Sequence, residues 1–307
     1  MAIGELLIKM TIFLSLMVVG YAAARTKKVG PDFAKSAAWL TLNVFMTGTI
    51  INSAVSNVPD LSGRETFNMM AVLFVTLIIM YVVAALAAKL LGQDRGYEGL
   101  SFALMAVVNN MFIGLPVVQE LCGSQAVLYV SMSCLPYNIL LYTYGVWRIR
   151  SGSGKFSFKL RDMFSMPLIS TIIAFVLFIF RIPVPKIGKE LLNALAAGTM
   201  PLSMLVVGTS LGSVNLLDAF KGWRTYVMAA VRLLICPVIV WLVIHNMTDN
   251  SMLLTSAIIT AASPSGIIVT ALSINYGRDA VYTSKNILAN TALSMVTIPL
   301  IVYILHL

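Results

Sequence analysis

Two stretches, Asn109-Asn110-Met111-Phe112-Ile113-Gly114-Leu115-Pro116 and Ala261-Ala262-Ser263-Pro264-Ser265-Gly266, interrupt apolar runs in the same way. Each places proline, glycine and small polar side chains inside a segment otherwise hydrophobic enough to cross a bilayer. Proline removes an amide donor and clashes with the preceding turn, and glycine eases bending. Backbone groups freed in this way cannot face lipid unpaired. Both segments are therefore predicted to be broken helices that line a cavity or the protein interior. Two ordinary proline kinks are the competing reading, but matching interruptions, each flanked by polar side chains, favour a binding site.

The rest of the chain supplies the membrane. Of 307 residues, 59% are hydrophobic and 11% charged, with a mean hydropathy of +0.91. A soluble domain carries roughly 45–50% apolar and about 25% charged residues, so a soluble enzyme, a secreted scaffold and a disordered chain are excluded. Cys122, Cys134 and Cys236 form neither a metal-ligand spacing nor a disulfide framework. The formal charge of +9 does not point to nucleic acid, because the basic residues sit in short gaps between apolar runs. Residues 3–24 resemble a signal peptide, but Glu5 at the amino end and Lys9 inside the apolar run favour a retained first helix.

A spanning helix needs about 20 mainly apolar residues. Such segments fall at 4–24, 33–56, 66–91, 98–121, 124–149, 162–182, 188–213, 222–246, 250–274 and 279–306. The expected fold is thus an all-α polytopic membrane protein of ten transmembrane helices. Residues 1–149 hold five of them, 150–161 form a basic central loop, and 162–307 hold the other five. Equivalent segments start about 155 residues apart, at 66 and 222 or at 124 and 279. Because five is odd, the second half enters the membrane inverted, an arrangement common among secondary transporters. The interrupted segments are the fourth and ninth, which correspond. If odd-numbered helices run inward, the inner gaps hold Arg25, Lys27, Lys28, Lys35, Lys89, Arg95, Arg148, Arg150, Lys155, Lys159, Arg161, Lys221, Arg224 and Arg278. The outer gaps hold Arg64, Arg181, Lys186 and Lys189. This asymmetry places both termini outside and the central loop in the cytoplasm, beside anionic lipid.

Several polar residues within the spans are candidates for the site. Asn109 and Asn110 offer amide donors at the first break, and Ser263 and Ser265 flank the second. Gly114, Pro116, Pro264 and Gly266 shape the two breaks. Asn43 could add a wall from the second span, against a purely interhelical hydrogen bond. Arg232 lies deep in the eighth span and Lys285 two turns into the tenth, beside Asn286. Such charges need a polar partner or an aqueous cavity; structural pairing for Arg232 and snorkelling for Lys285 compete with contact to an anion or a coupling role. Glu120 follows the first break, and no carboxylate sits clearly at the midplane, so no acidic proton relay is visible. A proton, through Glu120 or the solute, and sodium, through Asn, Ser and carbonyl oxygens, both stay open as coupling ions. No cofactor is called for. The Gly208–Gly212 spacing permits close helix packing.

These residues resemble the auxin efflux carrier family, which includes plant auxin exporters and bacterial malonate or malate carriers. The sharpest match is the Asn109–Pro116 stretch, like the family's Asn-containing Gly-x-Pro crossover. Further matches run through residues 262–269 and 290–300, and the likeness covers nearly the whole chain. It implies two inverted five-helix repeats, a scaffold of helices 1, 2, 6 and 7, and a moving domain of helices 3–5 and 8–10. It also implies an organic-anion site where helices 4 and 9 cross, with Asn109 and Pro264 in the matching positions, and homodimers formed through the scaffold. Many bacterial relatives have proline near position 47, where this chain has Thr47. The expected function is a secondary or facilitated carrier of a small organic anion, such as malonate or malate, moved across the cell membrane by alternating access. The alternatives are a cation-coupled carrier of an apolar, singly charged solute, an auxin-like monocarboxylate exporter and a non-transport membrane receptor. With no nucleotide-binding loop and no nucleophilic cluster, an ATP-driven pump and an enzyme are not expected.

Overall fold

The computed structural model describes residues 3–55, 63–150, 166–212 and 219–305. The basic central loop, apart from Arg150, lies outside the described residues, as does Asp162. The described chain is helical almost throughout. Helices α1 (Ile3–Arg25), α2 (Pro31–Leu40), α3 (Met46–Val55) and α4 (Gly63–Leu90) lead to α5 (Arg95–Ala106) and α6 (Leu115–Cys122). Then come α7 (Ser124–Met132), α8 (Cys134–Leu140), α9 (Val146–Ile149), α10 (Met166–Phe180) and α11 (Lys186–Gly212). The chain closes with α12 (Trp223–Ala230), α13 (Cys236–Ile244), α14 (Ser251–Ala262), α15 (Ile268–Asn275) and α16 (Ala280–Ile304). Wide π turns at 41–45, 141–145 and 231–235 join α2 to α3, α8 to α9 and α12 to α13 into longer rods.

Among the described residues, six helical rods are long and apolar enough to cross a membrane: Asp32–Val55, Arg64–Leu90, Ser124–Ile149, Lys186–Thr209, Trp223–Ile244 and Ala280–Ile304. Large apolar side chains are exposed on the outer faces, including Phe67, Phe74, Leu86 and Leu90 on α4 and Ile172, Val176 and Phe180 on the shorter apolar helix α10. A soluble monomer does not carry apolar patches of this extent. The chain is an all-α, polytopic membrane protein.

Backbones approach closely where the sequence supplies small residues. The α carbon of Gly208 faces the Met17 carbonyl, and an added Cβ on Gly212 would stand 2.7 Å from the Ala24 methyl. The Gly208–Gly212 spacing therefore seats α11 against α1. A second contact joins α3 to α11, where the Thr49 and Thr199 hydroxyls share a 2.6 Å hydrogen bond. Helices α1, α3, α10 and α11 pack together along these seams. Elsewhere α4 packs on α5, α13 and α14. The amino ends of α5, α14 and α16 are capped by the side chains of Asp94, Asn250 and Asp279, which accept from Tyr97, Leu253 and Tyr282 amides. Asp279 also accepts from the Tyr97 hydroxyl at 3.0 Å, and this bond holds the tyrosine above its ordinary pKa.

Candidate functional site

Between α5 and α6 the helix opens at Val107–Asn109, and between α14 and α15 at Ser263–Ile267. The first opening lies upstream of the expected Gly114–Pro116. A proline clashes with the carbonyl four residues back, and the chain accommodates Pro116 with a π turn over Asn110–Gly114 instead of a break. The same device precedes Pro237, where Val231–Ile235 is widened. Pro264 does lie in its opening. Ser263 before it is extended, with φ −66° and ψ 144°, as the residue preceding a proline prefers.

The two openings satisfy each other. Val108 and Ser265 form an antiparallel bridge. The Asn109 backbone N–H donates to the Pro264 carbonyl at 2.7 Å, and the Gly266 backbone N–H to the Val107 carbonyl at 2.9 Å. Buried backbone groups without such partners are costly in the membrane. Close approach requires two glycines. A Cβ on Gly266 would stand 2.7 Å from the Val108 carbonyl oxygen, and one on Gly114 would stand 2.5 Å from Asn110 Oδ1 and 2.9 Å from Ser263 Oγ. Ser265 Oγ donates to the Leu104 carbonyl and accepts from Asn290 Nδ2 at 2.6 Å. Ser263 Oγ returns to its own helix at Ile259.

Arg232 is fully buried at this crossing. Its Nε donates to the Ser263 carbonyl at 3.0 Å, and its two terminal nitrogens to the Met105 and Thr260 carbonyls at 3.4 Å each. Those carbonyls belong to the carboxyl ends of α5 and α14, where helix dipoles are negative. No carboxylate among the described residues pairs with it. Backbone carbonyls are thus the hydrogen-bond partners of Arg232.

A cavity of about 410 Å³ abuts the crossing. Val108, Asn109, Asn110, Met111 and Phe112 line it from the first break, and Gly266, Ile267 and Ile268 from the second. Both stretches are amino ends of the helical halves that follow the breaks, where dipoles are positive. The opposite wall comes from Ala34, Lys35, Ala38 and Leu42, and the remainder includes Tyr137, Asn138, Leu141, Tyr142 and Val206. Lys35 is solvent-exposed at the rim.

The two adjacent asparagines differ sharply. Asn110 is committed: its Nδ2 donates to Ser133 Oγ at 3.2 Å, and its Oδ1 accepts from Thr260 Oγ1 at 3.3 Å. Asn109 is 5% exposed, and its Nδ2 has no acceptor among the described residues. Asn43 does not line the cavity; its amide bonds the Trp39 carbonyl on its own helix at 2.8 Å. Glu120 is half-buried on α6 and also stands outside the lining. Lys285 is half-buried on α16 and makes no hydrogen bond to a described residue. Asn286 is buried, and its Nδ2 donates to the Tyr282 carbonyl at 2.9 Å.

Sequence reasoning missed Tyr137 and Asn138, which lie just after Pro136 inside the fifth apolar segment. That proline beside two polar side chains was the available signal. Tyr137 donates to the Val108 carbonyl at 3.1 Å and so also braces the crossing. Lys35 enters the sequence reading only through topology, since nothing in its neighbourhood of sequence marks a cavity.

A family profile described as membrane transport protein matches residues 6–159 and 153–302. Two curated archaeal proteins are similar along nearly their whole length. An uncharacterized transporter of Methanothermobacter thermautotrophicus is 24% identical over 291 residues, covering 94% of each chain. An uncharacterized transporter of Methanocaldococcus jannaschii is 23% identical over 297 residues, covering 94% of this chain and 95% of the relative. With the profile spanning both broken helices and the helices around them, the chain belongs to the membrane transport protein family, that of the auxin efflux carriers, and is a transporter and not an enzyme.

Proposed function

We propose that this transporter carries a small organic anion, with dicarboxylates such as malonate and malate as the first class to test, by alternating access at the crossing of the two broken helices. The observation that carries this reading is the unpartnered side-chain Nδ2 of Asn109, a residue lining the cavity, beside the positive ends of two helical halves. A buried amide donor without an acceptor is costly, and a carboxylate oxygen is a strong acceptor. Ten helices in two inverted repeats provide the frame. The packed set of α1, α2–α3, α10 and α11 serves as scaffold, and the remaining helices carry the crossing. If both termini lie outside, as the charge asymmetry suggests, the lining residues near the starts of α2 and α10 support a cavity that opens toward the cytoplasm. Homodimerisation through the scaffold completes the proposal.

A second reading is supported by the walls. Met111, Phe112, Leu42, Leu141, Ile267 and Ile268 are apolar, and they suit a monocarboxylate with an apolar body, including an auxin-like solute. One assay separates the two. Purified protein in proteoliposomes is given labelled malonate, malate and aromatic or aliphatic monocarboxylates, under separate proton, sodium and potential gradients. Saturable exchange of dicarboxylates supports the first reading, and preference for apolar monocarboxylates the second. Transport restricted to neutral or cationic solutes overturns both. Asn109→Ala should weaken substrate binding by the equivalent of about 1–3 kcal/mol, or roughly 5–150-fold in affinity. Asn110→Ala should act mainly on stability, since it breaks ties to Ser133 and Thr260.

A further inference from the structure

In secondary transporters with broken helices, the carboxyl ends of the half-helices and the unwound carbonyls are the groups that coordinate sodium or protons. Here both carboxyl ends are already occupied. Met105 lies one residue before the end of α5, Thr260 lies in the last turn of α14, and Ser263 is its cap. All three carbonyls converge on one guanidinium that is fully buried and has no carboxylate partner among the described residues.

We infer that Arg232 is a tethered counter-cation, which fills the electrostatic position of a bound coupling ion at the crossing, so that this transporter takes up no sodium there. A guanidinium suits the position because it is planar, remains charged when buried and reaches several acceptors at once from a fixed fork. A sodium ion placed among the same carbonyls would meet both a blocked site and a like charge. The acceptors come from two separate helices, so the same contact holds α5 to α14 through any movement of the pair. Arg232 is a positioning residue in this account, because its guanidinium donates to three backbone carbonyls and it does not line the cavity.

The inference rests on reading the crossing as the transport centre, and its test needs no transported solute, so failure of one is distinguishable from failure of the other. Full-length protein is purified in detergent and melted by tryptophan fluorescence in sodium chloride and in choline chloride at matched ionic strength. Wild type should melt at the same temperature in both salts. Arg232→Ala should melt several degrees lower. Millimolar guanidinium or sodium should restore part of the loss saturably, while urea, neutral and of nearly the same shape as guanidinium, should not. Should the alanine variant fail to fold, Arg232→Lys and Arg232→Met carry the same test. Lysine keeps the charge and should stay closer to wild type than methionine, which keeps only the bulk. A saturable sodium-dependent rise in wild type overturns the inference. So does rescue of the alanine variant by urea as well as by guanidinium, or a methionine variant as stable as wild type.

Discussion

Gly266→Ala tests the crossing at its tightest point. The φ of Gly266 lies outside the left-handed region, so alanine brings no backbone strain and the cost is contact alone. Its Cβ would stand 2.7 Å from the Val108 carbonyl oxygen and 3.1 Å from the carbonyl carbon. Carbon–oxygen contacts settle near 3.3–3.6 Å even when weakly attractive, so the two strands must part by roughly 0.6–0.9 Å. The Gly266 amide bond to Val107 starts at 2.9 Å and would stretch to roughly 3.5 Å or more, beyond the useful range for N–H···O. An unsatisfied buried donor costs about 1–3 kcal/mol, and overpacking adds about 1–3 kcal/mol. A total of roughly 2–6 kcal/mol is expected. Thermal melting of the purified protein should show a fall of several degrees, together with loss of flux. Gly30→Ala is the control, because a Cβ there meets nothing within 4 Å. If Gly266→Ala melts and transports like wild type, the backbone bridge between the broken helices is refuted, and with it the geometry from which the site is built.

Two other perturbations address separate parts of the molecule. Thr49→Val and Thr199→Val, singly and together, should show a coupling near 0.6 kcal/mol in a double-mutant cycle of unfolding in bilayer or detergent, the typical worth of an interhelical side-chain bond in a membrane; strict additivity would show that the 2.6 Å contact contributes nothing. Lys35→Gln should raise KM for a dicarboxylate with little change in kcat, and the effect should shrink with added salt, as expected of an exposed charge that pairs with the bound solute.

The membrane class, the six long apolar rods and the two interruptions were legible because hydropathy and proline placement act locally. Pro264 sits in its opening as its neighbours imply. Pro116 does not, because a helix can widen by one residue ahead of a proline, and sequence does not say which remedy the chain adopts. Nor did sequence separate Asn109 from Asn110. Adjacent residues on a helix point in different directions, and only the positions of Ser133 and Thr260 reveal that the second amide is already used. The partners of Arg232 were invisible for a different reason: they are carbonyl groups, which every residue carries. Reasoning from side chains alone searches for a carboxylate and finds none. Asn43 illustrates the reverse case, a polar residue inside a span whose amide is spent on its own helix at Trp39.

Charge at the crossing bears on the choice between a dicarboxylate and a monocarboxylate. Each helix end carries about half an elementary charge. The carboxyl ends of α5 and α14 together bring about one negative charge, and the single guanidinium of Arg232 offsets it. Two amino ends remain at the cavity, with about one positive charge between them. One carboxylate would balance that field. A second carboxylate would need another cation, and Lys35 is the basic residue in the lining. In the proposed carrier, then, the two solute classes should respond unequally to the same substitution. Lys35→Gln should weaken transport of a dicarboxylate more than that of a monocarboxylate of similar length, by an amount that competition assays at low salt can resolve. Equal loss for both classes would place Lys35 in general attraction of anions and leave the second carboxylate without a partner among the residues lining the cavity. The apolar-walled monocarboxylate reading would then be the better account of the same site.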